Sequence, residues 1–312
     1  MQFQEKLIKG KKYKYAVKSI RMPNGKVVSL QKIFKGENNK ELERIFLKKE
    51  IEAHFKYVVN TCRPDHIVSL DMLEKIETIK IEYRRILKKM PPQTLKDMWD
   101  RFTANFTYES NALEGNSLTL KDVAIVMFEN ATIKGKDLRE IYETRNSRKV
   151  VELIVNNKFT VTEKDIIKMH KILVKDIGIS TGYKKFPNII LGKKIKTTPP
   201  EGVPQEMAKL IAWYNKNQED MHPIKLAALF HGRFEQIHPF EDGNGRVGRF
   251  LINVILVNHK YPPLIIRKSQ RLAYIKALEN FDAKHTDTLY RLILEKCRET
   301  YKKFFEIYVK YI

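Results

Sequence analysis

Residues 237–250 read IHPFEDGNGRVGRF, a histidine, two acids, an asparagine between two glycines and two arginines within one short stretch. Glycines on both sides of Asn244 let backbone N–H groups turn inward at the start of a helix, where the helix dipole favours an anion. Arg246 and Arg249 fall in the first turns of that helix, where cations oppose the dipole, and Gly248 adds roughly 1 kcal/mol of helix cost. These choices work against stability unless negative charge occupies the site, with Arg246 and Arg249 donating to phosphate oxygens. Asp242 is then a natural ligand for a Mg²⁺ bridging phosphates, and His238 is of the residue type that exchanges protons near neutral pH. Taken singly, each feature also fits an ordinary helix-ending turn. Their combination points to phosphate chemistry.

Two helices must position this loop. PIKLAALFHGRFEQI, residues 223–237, opens with proline and spaces Ala227, Phe230, His231, Phe234 and Ile237 for one buried helix face, ending against Pro239. The run from Gly245 through RVGRFLINVILVNH is apolar on several faces and reads as a core helix. Further helices are predicted over about 94–113, 119–129, 136–156, 162–176, 204–217 and, in two or three pieces, 269–309. Thr119 and Thr162 each precede an aspartate by three residues and are expected N-caps.

HPFEDGNGR together with Arg249 matches the motif HPFx[D/E]GNGRxxR, so the chain resembles the Fic (Fic/Doc) family of protein adenylyltransferases from about Met98 to residue 285. The resemblance implies AMP transfer from ATP to a Ser, Thr or Tyr hydroxyl of a target protein, with His238 as the base and Asp242 holding Mg²⁺. It also implies that Gly243, Asn244 and Gly245 form the anion-binding turn and that Arg246 and Arg249 hold the distal phosphates. Phe240 is expected to anchor the loop in the core, and Glu241 occupies the variable position. Gly245, where the related Doc-type kinases carry lysine, favours nucleotidyl over phosphoryl transfer. De-AMPylation, and transfer from another nucleotide donor, stay open.

SNALEGN, residues 110–116, places Ser110 and Glu114 four apart on one helix face, with Gly115 as the helix stop. Glu114 therefore sits at a helix C-terminus, where an anion is disfavoured and a cationic partner is expected. The stretch matches the family's inhibitory motif [S/T]xxxE[G/N], which implies an inhibitory helix over about 105–115 whose glutamate, Glu114, pairs with Arg249. Residues 181–204, rich in Gly and Pro around a short β-branched run, read as a hairpin flap with an extended tail. Tyr183, Lys184, Ile189 and Ile190 are its expected target-docking residues, an extended edge being able to pair with a peptide backbone.

The expected fold class is mainly α, a Fic-type helical bundle with a small hairpin flap, preceded by an N-terminal extension. Domains are expected at 1–92, holding a β-hairpin at about 11–35 and then helices, and at 93–312, the catalytic domain. The formal net charge of +22 over 312 residues leaves a nucleic-acid partner open through the basic N-terminal region, and with it a rival reading as a nucleotide-sensing regulator. Its lysines are dispersed, with few aromatics interleaved to make a stacking platform. No apolar run of about 18 residues is present, so no membrane span is expected, and the first residues do not read as a secretory signal, which predicts a cytoplasmic protein. Two distant cysteines, Cys62 and Cys297, argue against a zinc site or disulfide framework. The resemblance also implies a homodimer.

Overall fold

A computed structural model describes residues 1–62, 66–188 and 197–312. The chain divides into two compact units, Met1–Ile81 and Glu82–Ile312, and the division falls inside one helix, α2 (Leu70–Lys89). Residues 82–91, grouped by sequence with the extension, cluster with the second unit, where the Tyr83 ring packs edge-on against Trp99 and Phe305. Pro92 is the first residue of α3 (Pro92–Leu113), a position where its missing N–H costs nothing.

The first unit pairs β1 (Gln2–Ile8), β2 (Lys11–Arg21) and β3 (Val27–Ile33) as an antiparallel meander, with Phe3 opposite Ala16 and Tyr15 opposite Ile33. The hairpin expected at 11–35 is thus the second half of a three-stranded sheet. β1 escapes a sequence reading because QFQEKLI leaves nearly all of its side chains in solvent, with no apolar face to betray it. Lys9 and Gly10, both at positive φ, make the two-residue turn that matches strand twist. Ala16 packs with Leu42 and Phe46 of α1 (Asn39–Cys62), backed by Leu30 and Phe34.

The second unit is helical. After α3 come α4 (Leu120–Ala124), which passes into a π-turn at Ile125–Glu129, α5 (Leu138–Val155), α6 (Glu163–Leu173), α7 (Val203–Asn217), α8 (Pro223–Ile237), α9 (Asn244–Asn258), α10 (Arg271–Asp282) and α11 (Asp287–Phe304). Thr119 and Thr162 both cap as expected; Thr119 and Asp122 form a reciprocal box, whereas Asp165 reaches back to Thr160. α8 and α9 form the centre, with Phe230, Phe234, Phe250, Ile252 and Ile255 fully buried. The segment Tyr261–Ile266 is buried as well, pinned by Asn253, which exchanges hydrogen bonds of 2.8 and 3.0 Å with the Leu264 backbone. Among the described residues no helix is long and apolar enough to cross a membrane.

Packing at α8 is tight enough to test. A Cβ at Gly232 would lie 2.5–2.6 Å from three carbons of the Phe281 ring on α10, itself 4% exposed. Gly232→Ala is expected to lower stability by about 1–3 kcal/mol through overpacking, read as a fall in thermal midpoint without loss of helical signal.

Candidate active site

α8 ends at His238, whose backbone adopts the left-handed conformation (φ 51°, ψ 62°) while its N–H still donates to Phe234 O at 2.9 Å. That reversal throws the chain into the loop and keeps the imidazole at the helix end, 17% exposed. Gly243, at φ 81°, then turns the chain into α9, whose N-terminus no side chain caps. Two left-handed residues therefore bracket a loop that carries a proton-exchanging ring at one end and an uncapped helix N-terminus at the other.

The loop is braced from behind. Pro239 O accepts from the Lys184 N–H (2.9 Å), Phe240 O and Glu241 O accept from Asn188 Nδ2 (2.8 and 3.0 Å), and Asp242 O pairs with His170 Nε2 (3.0 Å). Phe240 is the core anchor expected, fully buried, with the His170 ring stacked on it at 3.8 Å and 3°. Burial, assisted by Arg246, lowers the His170 pKa to about 4, so the ring is neutral and suited to this stack. The Asn244 side chain is used within the loop itself. Its side chain donates to Phe240 O and accepts from Phe240 N, both at 2.8 Å, so only its backbone remains for an anion. Asn244→Ala strands two buried backbone groups and is expected to cost roughly 3 kcal/mol, measured by denaturation.

Both motif arginines are buried, Arg246 with its side chain 2% exposed and Arg249 with 3%. Arg249 is fully engaged by the segment that sequence pairs with it: Nε donates to Ser110 Oγ (3.0 Å) and Nη2 to Ser110 O (2.9 Å) and Glu114 Oε1 (2.6 Å). Burial works against its charge, but Glu114 and Tyr274 hold the guanidinium pKa above its ordinary value. Glu114 is the C-cap residue of α3, Gly115 follows at φ 99°, and a Cβ at Gly245 would overlap Glu114 Oε1. Gly245, inside α9, thus leaves room for the pair. The expected inhibitory stretch over about 105–115 is the C-terminal part of the 22-residue α3, which ends at Leu113.

Arg246 is held more loosely. Its Nη1 lies 3.2 Å from Glu143 Oε1 on α5, yet Nε and Nη1 make no hydrogen bond among the described residues. Glu143 also meets Arg139 Nε (3.3 Å) and Asn116 Nδ2 (3.1 Å), and Arg139 Nη2 reaches Asp242 Oδ2 at 2.6 Å. The expected metal ligand therefore carries an arginine on one oxygen and the Gly243 N–H on the other, at 2.5 Å. Burial opposes its charge, but Arg246, the Gly243 N–H and Arg139 hold the Asp242 carboxyl below the ordinary value. Among the described residues no group of three or more His, Cys, Asp or Glu is placed to hold a metal. One half-exposed carboxylate suits a Mg²⁺ that brings its other oxygens from substrate phosphates and water.

The flap expectations need correction. Residues 181–188 form bends without a strand, and Ile189 and Ile190 lie outside the described residues. Lys184, expected at a docking edge, is 4% exposed; its Nζ donates to Thr197 Oγ1 at 3.1 Å, and burial brings its pKa down to about 8. Tyr183 donates to Glu163 Oε1 at 2.9 Å and stacks towards Phe240. The Lys184 backbone N–H tethers the loop at Pro239 O, while its side chain is held by Thr197. Sequence reasoning missed Arg139, Glu143, His170, Asn188 and Glu235. Only Arg139 and Glu143 left a signal, an i,i+4 charge pair that any solvated helix could carry.

The Fic/DOC family model matches residues 160–256. Over 186 residues the chain is 31% identical to the protein adenylyltransferase Fic of Nematostella vectensis, covering 58% of this chain and 43% of that one. With the protein of the same name from Drosophila grimshawi it shares 32% over 177 residues, 55% of this chain and 36% of the relative. The chain thus spans less than half the length of these relatives. Among solved structures, a Fic domain containing signaling protein of Bacteroides thetaiotaomicron superposes with a TM-score of 0.65 at 28% identity, over 73% of this chain and 94% of that one. Fic-1 of C. elegans shares the fold, with a TM-score of 0.64 at 21% identity over 75% and 70%. Loop, helices and matches agree that residues 160–256 carry a Fic/DOC family domain.

Proposed function

We propose that the chain transfers AMP from ATP to a Ser, Thr or Tyr hydroxyl of a target protein, and that Glu114 holds it in an inhibited state. The observation that carries this reading is the pair of buried motif arginines beside the uncapped N-terminus of α9, one held by Glu114 and Ser110 and the other with two nitrogens lacking hydrogen bonds. Buried guanidinium nitrogens that make no hydrogen bond among the described residues are costly and suit a ligand that supplies oxygens.

In the reaction the target hydroxyl oxygen attacks the α-phosphorus, the bond from that phosphorus to the oxygen bridging to the β-phosphate breaks, and pyrophosphate leaves. His238 Nε2 takes the hydroxyl proton. The backbone of Gly243, Asn244 and Gly245 and the two arginines, Arg246 and Arg249, bind and orient the phosphates, so most of the acceleration comes from positioning and charge neutralisation. Asp242 would hold Mg²⁺, which when bound offsets phosphate charge; Arg139 must first release the carboxylate. Glu114 and the terminal phosphate compete for the same Arg249 donors, which is the physical content of the inhibition.

Mass spectrometry of acceptor proteins incubated with ATP, Mg²⁺ and the Glu114→Gly form tests the reaction. AMP esterified to hydroxyl side chains is expected, and phosphate in its place would contradict it.

A further inference from the structure

Behind His238 lies a buried polar group that neither the motif nor the phosphate site uses. Glu235, one turn earlier on α8, has a side chain only 9% exposed, with Oε2 3.7 Å from His238 Nδ1 and the carboxylate 4.0 Å from His231 Nδ1. His231 Nε2 in turn meets Tyr274 Oη of α10 at 2.8 Å, and the guanidinium of Arg249 lies over the Tyr274 ring at 6.0 Å. The charged and titratable groups facing the carboxylate are therefore His231 and His238 on its own helix, Arg249 on α9 and Tyr274 on α10, with Glu114 on α3 beyond Arg249. Burial works against a charge there, yet His238, His231 and Arg249 hold the Glu235 pKa down to about 2.

The space for this carboxylate is left by Gly248, at a variable position of the motif. A Cβ at Gly248 would lie 2.5 Å from Glu235 Oε1 and 2.7 Å from the His231 ring. Gly248, a poor choice for a helix interior, is thus explained by the carboxylate packed against it and not by the anion site.

We propose that Glu235 is a positioning residue for His238: it attracts the proton of the imidazole to Nδ1, leaving the Nε2 lone pair for the substrate, and it stabilises the imidazolium formed once the hydroxyl proton has been taken. The ion-pair distance of 3.7 Å, the buried Nδ1 atom that makes no hydrogen bond among the described residues, and the left-handed turn that fixes the ring beside the carboxylate all support this role. The inference rests on His238 acting as the base.

Nitrogen-15 NMR of the eight histidine rings tests it without reference to turnover, the His238 signal being assigned by its loss in His238→Asn. In the unaltered chain the neutral His238 ring is expected as the Nδ1–H tautomer; the Nε2–H tautomer would overturn the proposal whether or not any variant folds. In Glu235→Gln the preference for the Nδ1–H tautomer should weaken, and AMP transfer measured in the Glu114→Gly background should fall about 10-fold in kcat with nucleotide affinity little changed. A tautomer left unchanged in Glu235→Gln would also overturn it. If AMP transfer itself is missing, the ring measurements still decide this point, so the two failures are separable.

Discussion

Glu114→Gly is expected to raise the rate of AMP transfer by about 10- to 50-fold at nucleotide concentrations below saturation. Glu114 makes a 2.6 Å bond to a guanidinium that is 3% exposed, and charge-assisted bonds of this type contribute about 1.5–3 kcal/mol. Glu114 itself is 43% exposed, which places the effect in the lower part of that range. Glycine removes the competitor without disturbing α3, because residue 114 has ordinary helix-end angles (φ −92°, ψ 3°) and Ser110 keeps its two bonds to Arg249. The gain should appear together with tighter nucleotide binding by calorimetry. Arg249→Ala in the same background should cancel it, since the released donors are what the phosphate uses.

His238→Ala should lower the same rate by a factor of about 10²–10⁴ while leaving nucleotide affinity within a few-fold. The imidazole sits at the end of α8, apart from the arginines on α9, so base and phosphate contacts belong to different elements. The left-handed angles at residue 238 (φ 51°) are outside the usual range for both residues, so the effect is read through the lost imidazole and its contact with Glu235. A rate loss with retained binding therefore reports chemistry. Loss of both would instead report collapse of the loop, which thermal unfolding would reveal.

Much of this site can be read from the sequence. The two glycines around Asn244, the misplaced arginines and the helix-ending Glu114-Gly115 are local violations of helix rules, and each violation points to a charge that must be met from elsewhere. The pairing of Glu114 with Arg249 spans 135 positions; the need for a cationic partner is legible at Glu114, and the family resemblance is what names Arg249. Other parts obey local rules and so leave no mark. His170 and Asn188 brace the loop through its backbone carbonyls, contacts that any histidine or asparagine could make and that only the fold decides. Lys184 looks like a surface lysine until packing buries it. Gly248 violates a rule legibly but suggests the wrong cause, since its neighbours Glu235 and His231 lie on another helix. β1 went unseen because a solvent-facing strand without apolar alternation resembles a loop.

Label transfer to protein from ATP tagged at either the α or the γ phosphate, in Mg²⁺, is the most direct test of the whole account, comparing the unaltered chain, Glu114→Gly, and Glu114→Gly with His238→Ala. Label from the α position, weak in the unaltered chain, strong in Glu114→Gly and absent from the double variant, is the predicted result. Transfer from the γ position alone, or α label that His238→Ala leaves intact, would contradict it.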